Sequence, residues 1–221
     1  VISIDGSWDH PRHGSNCTVA VMDQRSGKVI DLGWVSRKVD PKAPNYCENS
    51  NLMEIKALAL CIQRLRDLPQ IIAYVHDNDA RASKLICESG WEIEEKLDPG
   101  HSFKCLERRL KRFKRDHGNI LKDIEASLKS WFEALIHSDL PTEEKVKQWY
   151  NCLNHYAGIH DECLHGEESV CQKWRYSDDM EKVGLLNAFL RETEKFIRKV
   201  DPNYSTQMNE SFNRRKTKFA P

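Results

Sequence analysis

The spacing of apolar residues changes its rhythm twice along the chain. Residues 1–4, 18–22 (TVAVM) and 29–35 (VIDLGWV) are dense in aliphatic and β-branched side chains, with Ser26-Gly27 marking a turn, and predict a three-stranded meander. Over 51–65 the apolar residues Leu52, Ile55, Leu58, Ala59, Ile62 and Leu65 recur at the three-four spacing of an amphipathic helix. Ser50 or Asn51 is its expected cap, with Glu54 standing three residues after Asn51 in the first turn. Pro69 ends that element, and the compact apolar run 71–75 reads as a buried strand. A second helix over 79–88, closed by Gly90, and a short strand over 91–96 follow, so the predicted order is β-β-β-α-β-α-β.

Beyond residue 102 the strands vanish. Charged helical patterns cover 103–113, 120–136, 143–156 and 180–200, punctuated by Pro141, Gly158 and Gly166, and a final helix is expected over about 206–219, after Asp201-Pro202. The expected division is an α/β front (1–102), a helical middle (103–203) and a returning helix (204–221). The chain opens inside an apolar run and stops at Ala220-Pro221, which reads as a segment of a longer protein.

Composition narrows the function by exclusion. Lys+Arg and Asp+Glu both number 34 in 221 residues, so net charge gives no bulk attraction to nucleic acid or membrane, and any partner must be read from local charge. No run of 18 apolar residues exists to span a bilayer. Eight cysteines dispersed in a charged chain of this size read as reduced thiols or metal ligands, which favours an intracellular compartment.

Local chemistry starts with carboxylates. Asp5 follows the first strand-like run, Glu54 lies early on the first helix, and Asp77 comes directly after the fourth strand. If the first and fourth strands are neighbours, Asp5 and Asp77 project together, and the helix covering the sheet brings Glu54 alongside. Such like charges are costly without a cation, and hard oxygen ligands suit Mg²⁺ or Mn²⁺. Two such ions roughly 4 Å apart activate a water or hydroxyl and stabilise the leaving oxygen of a phosphodiester. Each acid also has a plain structural reading: Asp5-Gly6 and Asp77-Asn78-Asp79 as turns, Glu54 as the acid of a capping box. Asp79 is expected to cap the second helix, with Asp79 in place of Asp77 as ligand the alternative.

In their order, "IDGSW", "NLMEIKALALCIQRL" and "YVHDNDARASKLI" resemble the ribonuclease H-like superfamily, over roughly residues 1–90. "DPGH" at 98–101, the basic stretch "FKCLERRLKRFKR" and the terminal "STQMNESFNRRKTKFAP" resemble the catalytic domain of Mutator-like DDE transposases, as does the His/Cys segment "NHYAGIHDECLHGEESVC". The resemblance implies an α/β, ribonuclease H-like mixed sheet with an all-helical insertion. It implies a DDE triad of Asp5, Asp77 and Glu210, Mg²⁺ or Mn²⁺ as cofactor, and DNA cleavage and strand transfer. The partners would be transposon ends and target DNA, the active form a homo-oligomer, the location nuclear. No end-binding domain is recognisable in the chain.

Two further sets of residues bear on that reading. His155, His160, Cys163 and Cys171 form H-x4-H-x2-C-x7-C, with Cys152 and His165 in reserve, and suit a structural Zn²⁺ in the insertion; dispersed cysteines are also often small buried hydrophobes. Lys104, Arg108, Arg109, Lys111, Arg112, Lys114 and Arg115, with Arg214 and Arg215 near Glu210, would bind phosphates without reading bases. His101 is expected to orient a backbone or a phosphate. A solvated helix face is the plain alternative for the charge runs. Trp131, Trp149 and Trp174 are expected to form insertion core. In the final helix Met208, Phe212 and Phe219 share a face expected to pack on the sheet, leaving Glu210 at its edge.

Overall fold

The computed structural model describes residues 1–9, 14–159, 162 and 179–219, with 216–219 as backbone alone. Its elements run β1 (Ile2–Trp8), β2 (Asn16–Asp23), β3 (Val29–Ser36), α1 (Ser50–Leu65), β4 (Ala73–His76), α2 (Ala80–Glu88), β5 (Glu94–Leu97), α3 (Pro99–His117), α4 (Glu125–Ile136), α5 (Thr142–Tyr156), α6 (Met180–Lys199) and α7 (Gln207–Phe219). The five strands form one mixed sheet in the order β3-β2-β1-β4-β5. β2 is antiparallel to β1 and β3, whereas β1, β4 and β5 run parallel. This α/β topology is compatible with a ribonuclease H-like fold. Contacts divide the chain into two compact units, Val1–Asp98 with Asn203–Pro221, and Pro99–Pro202.

In the α/β unit the β1, β2 and β3 residues Ile2, Ile4, Val19, Val21 and Val35 face α1, whose buried stripe is Met53, Ala57, Leu58, Cys61, Ile62 and Leu65. Gly33 of β3 permits this approach, because a Cβ there would stand 2.7 Å from the Ala57 carbonyl carbon. On strand alternation, Ser3, Asp5 and Ala20 fall on the opposite face, where α7 docks. That docking is polar. Asn209 donates from Nδ2 to the carbonyls of Ala20 (2.8 Å) and Ser3 (3.3 Å), and accepts from the Ser3 hydroxyl. Buried Asp98, after β5, accepts at Oδ2 from Ser205 Oγ (2.7 Å) and Thr206 N (2.9 Å), holding the start of α7.

Several expected boundaries move. β1 continues to Trp8, so Asp5 lies inside the strand rather than after it. The cap of α1 is Asn49, which accepts from Asn51 N (2.9 Å), and not Ser50 or Asn51. Glu54 therefore falls past the first turn and is no capping-box acid. α1 is closed at Arg66, before Pro69; β4 begins at Ala73 and β5 at Glu94, and α4 begins at Glu125. α3 starts at Pro99, so His101 lies in its first turn.

The helical unit has a core in which Phe132 meets Trp149 edge-on at 5.4 Å and Phe113 meets Phe189 at 5.5 Å. Trp149 is fully buried and donates from Nε1 to Leu190 O and Thr193 Oγ1, both at 3.2 Å, so its polar atom is satisfied inside the core. Among the described residues no helix is long and apolar enough to cross a membrane.

Candidate functional site

β1 and β4 register Ile2 with Tyr74 and Ser3 with Val75; continuing two residues sets Asp5 opposite Asp77. Strand order reverses direction between these two strands, the position where crevices open at the carboxyl ends of parallel strands. A small cavity of about 20 Å³ lies there, lined by Ile4, Asp5, Val19, Glu54, Ile55, Leu58, His76, Asp77, Asp79 and Ala82. Space of that size suits one water-sized particle.

Glu54 reaches the strand ends because Gly6 has no side chain. A Cβ on Gly6 would stand 2.6 Å from Glu54 Cδ, so the residue after Asp5 is the opening through which the α1 carboxylate approaches. Burial, then the fields of Asp77, Asp79 and Asp5, push the Glu54 pKa up to about 7, with Arg81 opposing. Asp79 caps α2 by accepting from Arg81 N (2.9 Å) and pairs with the Arg81 guanidinium (2.8 Å). Burial works against its ionisation, but the bonds from Arg81 outweigh it and hold Asp79 below the usual carboxylate range. Asp79 is thus a helix cap with its own counter-charge, while Asp77 is exposed directly after β4. Asn78 between them adopts φ 67°, a left-handed turn that Asn tolerates better than most residues.

His76 is buried and its Nε2 lies 2.8 Å from Glu95 Oε1, which also accepts from Ser83 Oγ at 2.7 Å. The other ring nitrogen, Nδ1, is buried without a hydrogen-bond partner among the described residues. Across the sheet, Asn213 of α7 donates from Nδ2 to Asp5 Oδ2 at 2.9 Å, and its Oδ1 is likewise buried and unpartnered.

Of the expected acids, Asp5, Glu54 and Asp77 share the cavity. Glu210 sits on α7 beside Asn209 and pairs with Arg214 at 3.4 Å; it neither lines the cavity nor figures among the carboxylates raising Glu54. The expectation that Met208 and Phe212 seat α7 is corrected: both are half-buried, and the buried positions are Thr206, Asn209 and Asn213. The Phe219 side chain lies outside the described residues. Hydrogen bonds to strand carbonyls dock this helix, so its inward face carries no apolar signature.

The donor chemistry fits a hard divalent cation: Asp5 and Asp77 lie close enough to Glu54 to raise it, beside two buried polar atoms, His76 Nδ1 and Asn213 Oδ1, without a partner among the described residues. The cluster is gathered rather than closed, since among the described residues no three His, Cys, Asp or Glu side chains stand converged around an ion. Of the expected zinc ligands, His155 is buried on α5 with its ring 5.0 Å from Trp131 and 5.1 Å from Tyr156, and Cys152 is buried one turn earlier. His160, Cys163, Cys171 and the reserve His165 lie outside the described residues, as does Trp174.

On α3, Lys104, Arg108, Lys111, Arg112 and Arg115 are exposed at spacings that give a basic stripe. Arg109 is half-buried and paired with Glu192, and Arg112 pairs with Asp116 at 3.5 Å. His101 is half-buried in the first turn, and Arg214 and Arg215 are exposed on α7. Hydrophobic patterning exposed none of Gly6, His76, Arg81, Asp98 and Asn213; the available signals were Gly6 directly following Asp5 and the four-residue step from Asn209 to Asn213.

Compared with known proteins, the chain matches no family model, no curated protein and no solved structure.

Proposed function

We propose that this chain is the catalytic domain of a divalent-metal-dependent enzyme of phosphodiester transfer on DNA, a DDE transposase of the Mutator-like kind built on a ribonuclease H-like core. The observation that carries the reading is the set of Asp5, Glu54 and Asp77 at the junction of β1 and β4, with Glu54 raised by burial and its acidic neighbours. Asp5, Glu54 and Asp77 would hold Mg²⁺ or Mn²⁺. Bound there, such ions supply charge neutralisation at the phosphate and activation of the attacking oxygen.

The remaining residues divide the work of binding and orientation. Asn213 restrains one oxygen of Asp5 and so orients its carboxylate for the cation. Glu210 is the last acid of the DDE reading. Its exposed i,i+4 pair with Arg214 is worth a few tenths of a kcal/mol, so that pair does not hold it away from a site it joins on loading. Lys104, Arg108 and Arg112 on α3, with Arg214 and Arg215, neutralise DNA phosphates, and His101 orients one. Arg109 contributes less to DNA, because Glu192 already neutralises it. A structural Zn²⁺ on His155, His160, Cys163 and Cys171, a homo-oligomeric active form and a nuclear location belong to the same reading.

One observation favours a second reading. Glu54 in the cluster gives an acid on the first helix, which a ribonuclease H-type nuclease uses on RNA in hybrids. Incubation with Mg²⁺ or Mn²⁺ on duplex DNA, on DNA–RNA hybrid and on duplexes with a recessed 3′-hydroxyl decides between them. Strand joining and duplex cleavage are expected; hybrid cleavage alone would replace the transposase with a nuclease. DNA binding with no metal-dependent turnover would leave a non-catalytic binding module.

A further inference from the structure

We propose that Asn213 is the group α7 contributes to the ion site: its Nδ2 positions Asp5, and its Oδ1 is an oxygen donor to the cation or its bound water. This rests on the ion reading given above and goes beyond it by naming an amide, in addition to any acid, as the contribution of the last helix. The first support is the hydrogen bond itself. The 2.9 Å contact sets Nδ2 as the donor to Asp5 Oδ2, which leaves Oδ1 as the acceptor end of the same amide beside the Asp5 carboxylate.

The second support is burial. Asn213 is 6% exposed, and its Oδ1 has no donor among the described residues. A buried carbonyl oxygen without a partner costs free energy that a cation or an ordered water recovers. His76, which lines the acidic cavity, has a buried Nδ1 that likewise has no hydrogen-bond partner among the described residues. Buried polar atoms without partners beside carboxylates mark a place for an ion or ordered water.

The third support is rigidity. Asn209, one helical turn before Asn213, is bonded to Ser3 and Ala20, and Asp98 holds the helix start through Ser205 and Thr206. The Asn213 amide is therefore delivered from a docked helix rather than a loose tail. Glu210, on the same helix, is instead half-buried and paired with Arg214.

Mn²⁺ titration of the full chain, followed by the loss of the free-ion paramagnetic resonance signal, tests this without relying on activity. Asn213→Ala should weaken Mn²⁺ binding about tenfold, the lower end of what removing a supporting group costs a metal site. Asn213→Asp keeps an oxygen at the position and should bind Mn²⁺ at least as tightly as the unmodified chain. It should also melt lower without the ion, from repulsion with Asp5, and gain more on adding it. Asn213→Ala binding within twofold of the unmodified chain would overturn the proposal while leaving the ion reading intact. Loss in both variants would assign the effect to helix docking and also overturn it. If the unmodified chain takes up no Mn²⁺, the ion reading itself falls, and this inference with it.

Discussion

Glu54 in the α/β unit and Glu194 in the helical unit are the same residue type in opposite settings. Glu194 accepts from the Tyr150 hydroxyl at 2.5 Å and pairs with Arg198, and those two bonds hold its pKa below the usual range. Glu54 is half-buried, faces Asp77, Asp79 and Asp5, and is pushed up to about 7. The helical unit neutralises its acids internally, as Lys129 does for Glu125 at 3.0 Å and Arg198 for Glu143 at 2.6 Å. At the strand junction of the α/β unit Arg81 pairs with Asp79 and only weakly offsets the acids around Glu54. Charge left unbalanced at a strand junction costs stability that a bound cation would return. Perturbed acids in a crevice mark a functional site for that reason.

If the helical unit is held by its core rather than its charges, Trp149→Ala should be severely destabilising. Loss of a fully buried indole with two hydrogen bonds should cost about 3–5 kcal/mol in chemical denaturation. A loss below about 1 kcal/mol would mean that the aromatic core is not what stabilises the unit.

The Glu54 contrast sets a pH dependence. Its ordinary value of 4.5 applies when unfolded and about 7 when folded, so the folded chain binds the extra proton between them. This group's contribution is intact below about pH 4.5 and is lost as pH climbs through 7, a change on the order of 3 kcal/mol. Glu54→Gln should remove that slope and stabilise the metal-free protein at pH 8. Denaturation midpoints of the two proteins from pH 4.5 to 8 check it; parallel curves would place the strain elsewhere.

Asp98 sharpens the comparison from the other side, as an acid of the α/β unit that is fully used. Asp98→Ala should cost about 2 kcal/mol by stranding the donors of Ser205 and Thr206, and should speed amide exchange in α7 before the rest of the unit. The smallest effect belongs to the surface pairs. Arg198→Ala, though it touches both Glu143 and Glu194, should barely move the melting midpoint, because exposed ion pairs contribute little.

The parts of this molecule legible in the sequence were those written in apolar periodicity. The β-β-β-α-β-α-β order and the Asp79 cap are reproduced, and α1 buries Leu58, Ile62 and Leu65 of its expected stripe; Leu52 is instead exposed, and Met53, Ala57 and Cys61 take the inward places. Element ends were less legible, since β1 runs on through Asp5 and Gly6 to Trp8, past the apolar residues that signal it. Polar packing was illegible. α7 faces the sheet with Asn209 and Asn213, and an amphipathic reading of that helix selects Met208 and Phe212 instead. The environment of Glu54 depended on Gly6 and on the β1–β4 register, neither of which periodicity encodes.

If Asp5, Glu54 and Asp77 hold one cation between them, the folded chain gains stability when that ion binds. The most direct test is the melting midpoint at pH 8 as Mn²⁺ is added, for the unmodified chain and for Asp5→Asn and Asp77→Asn. The midpoint should rise with ion concentration in the unmodified chain, by the usual mass action of a ligand bound to the folded state, and almost not at all in either variant. An equal rise in all three proteins, or no rise in any, would contradict a shared cation site.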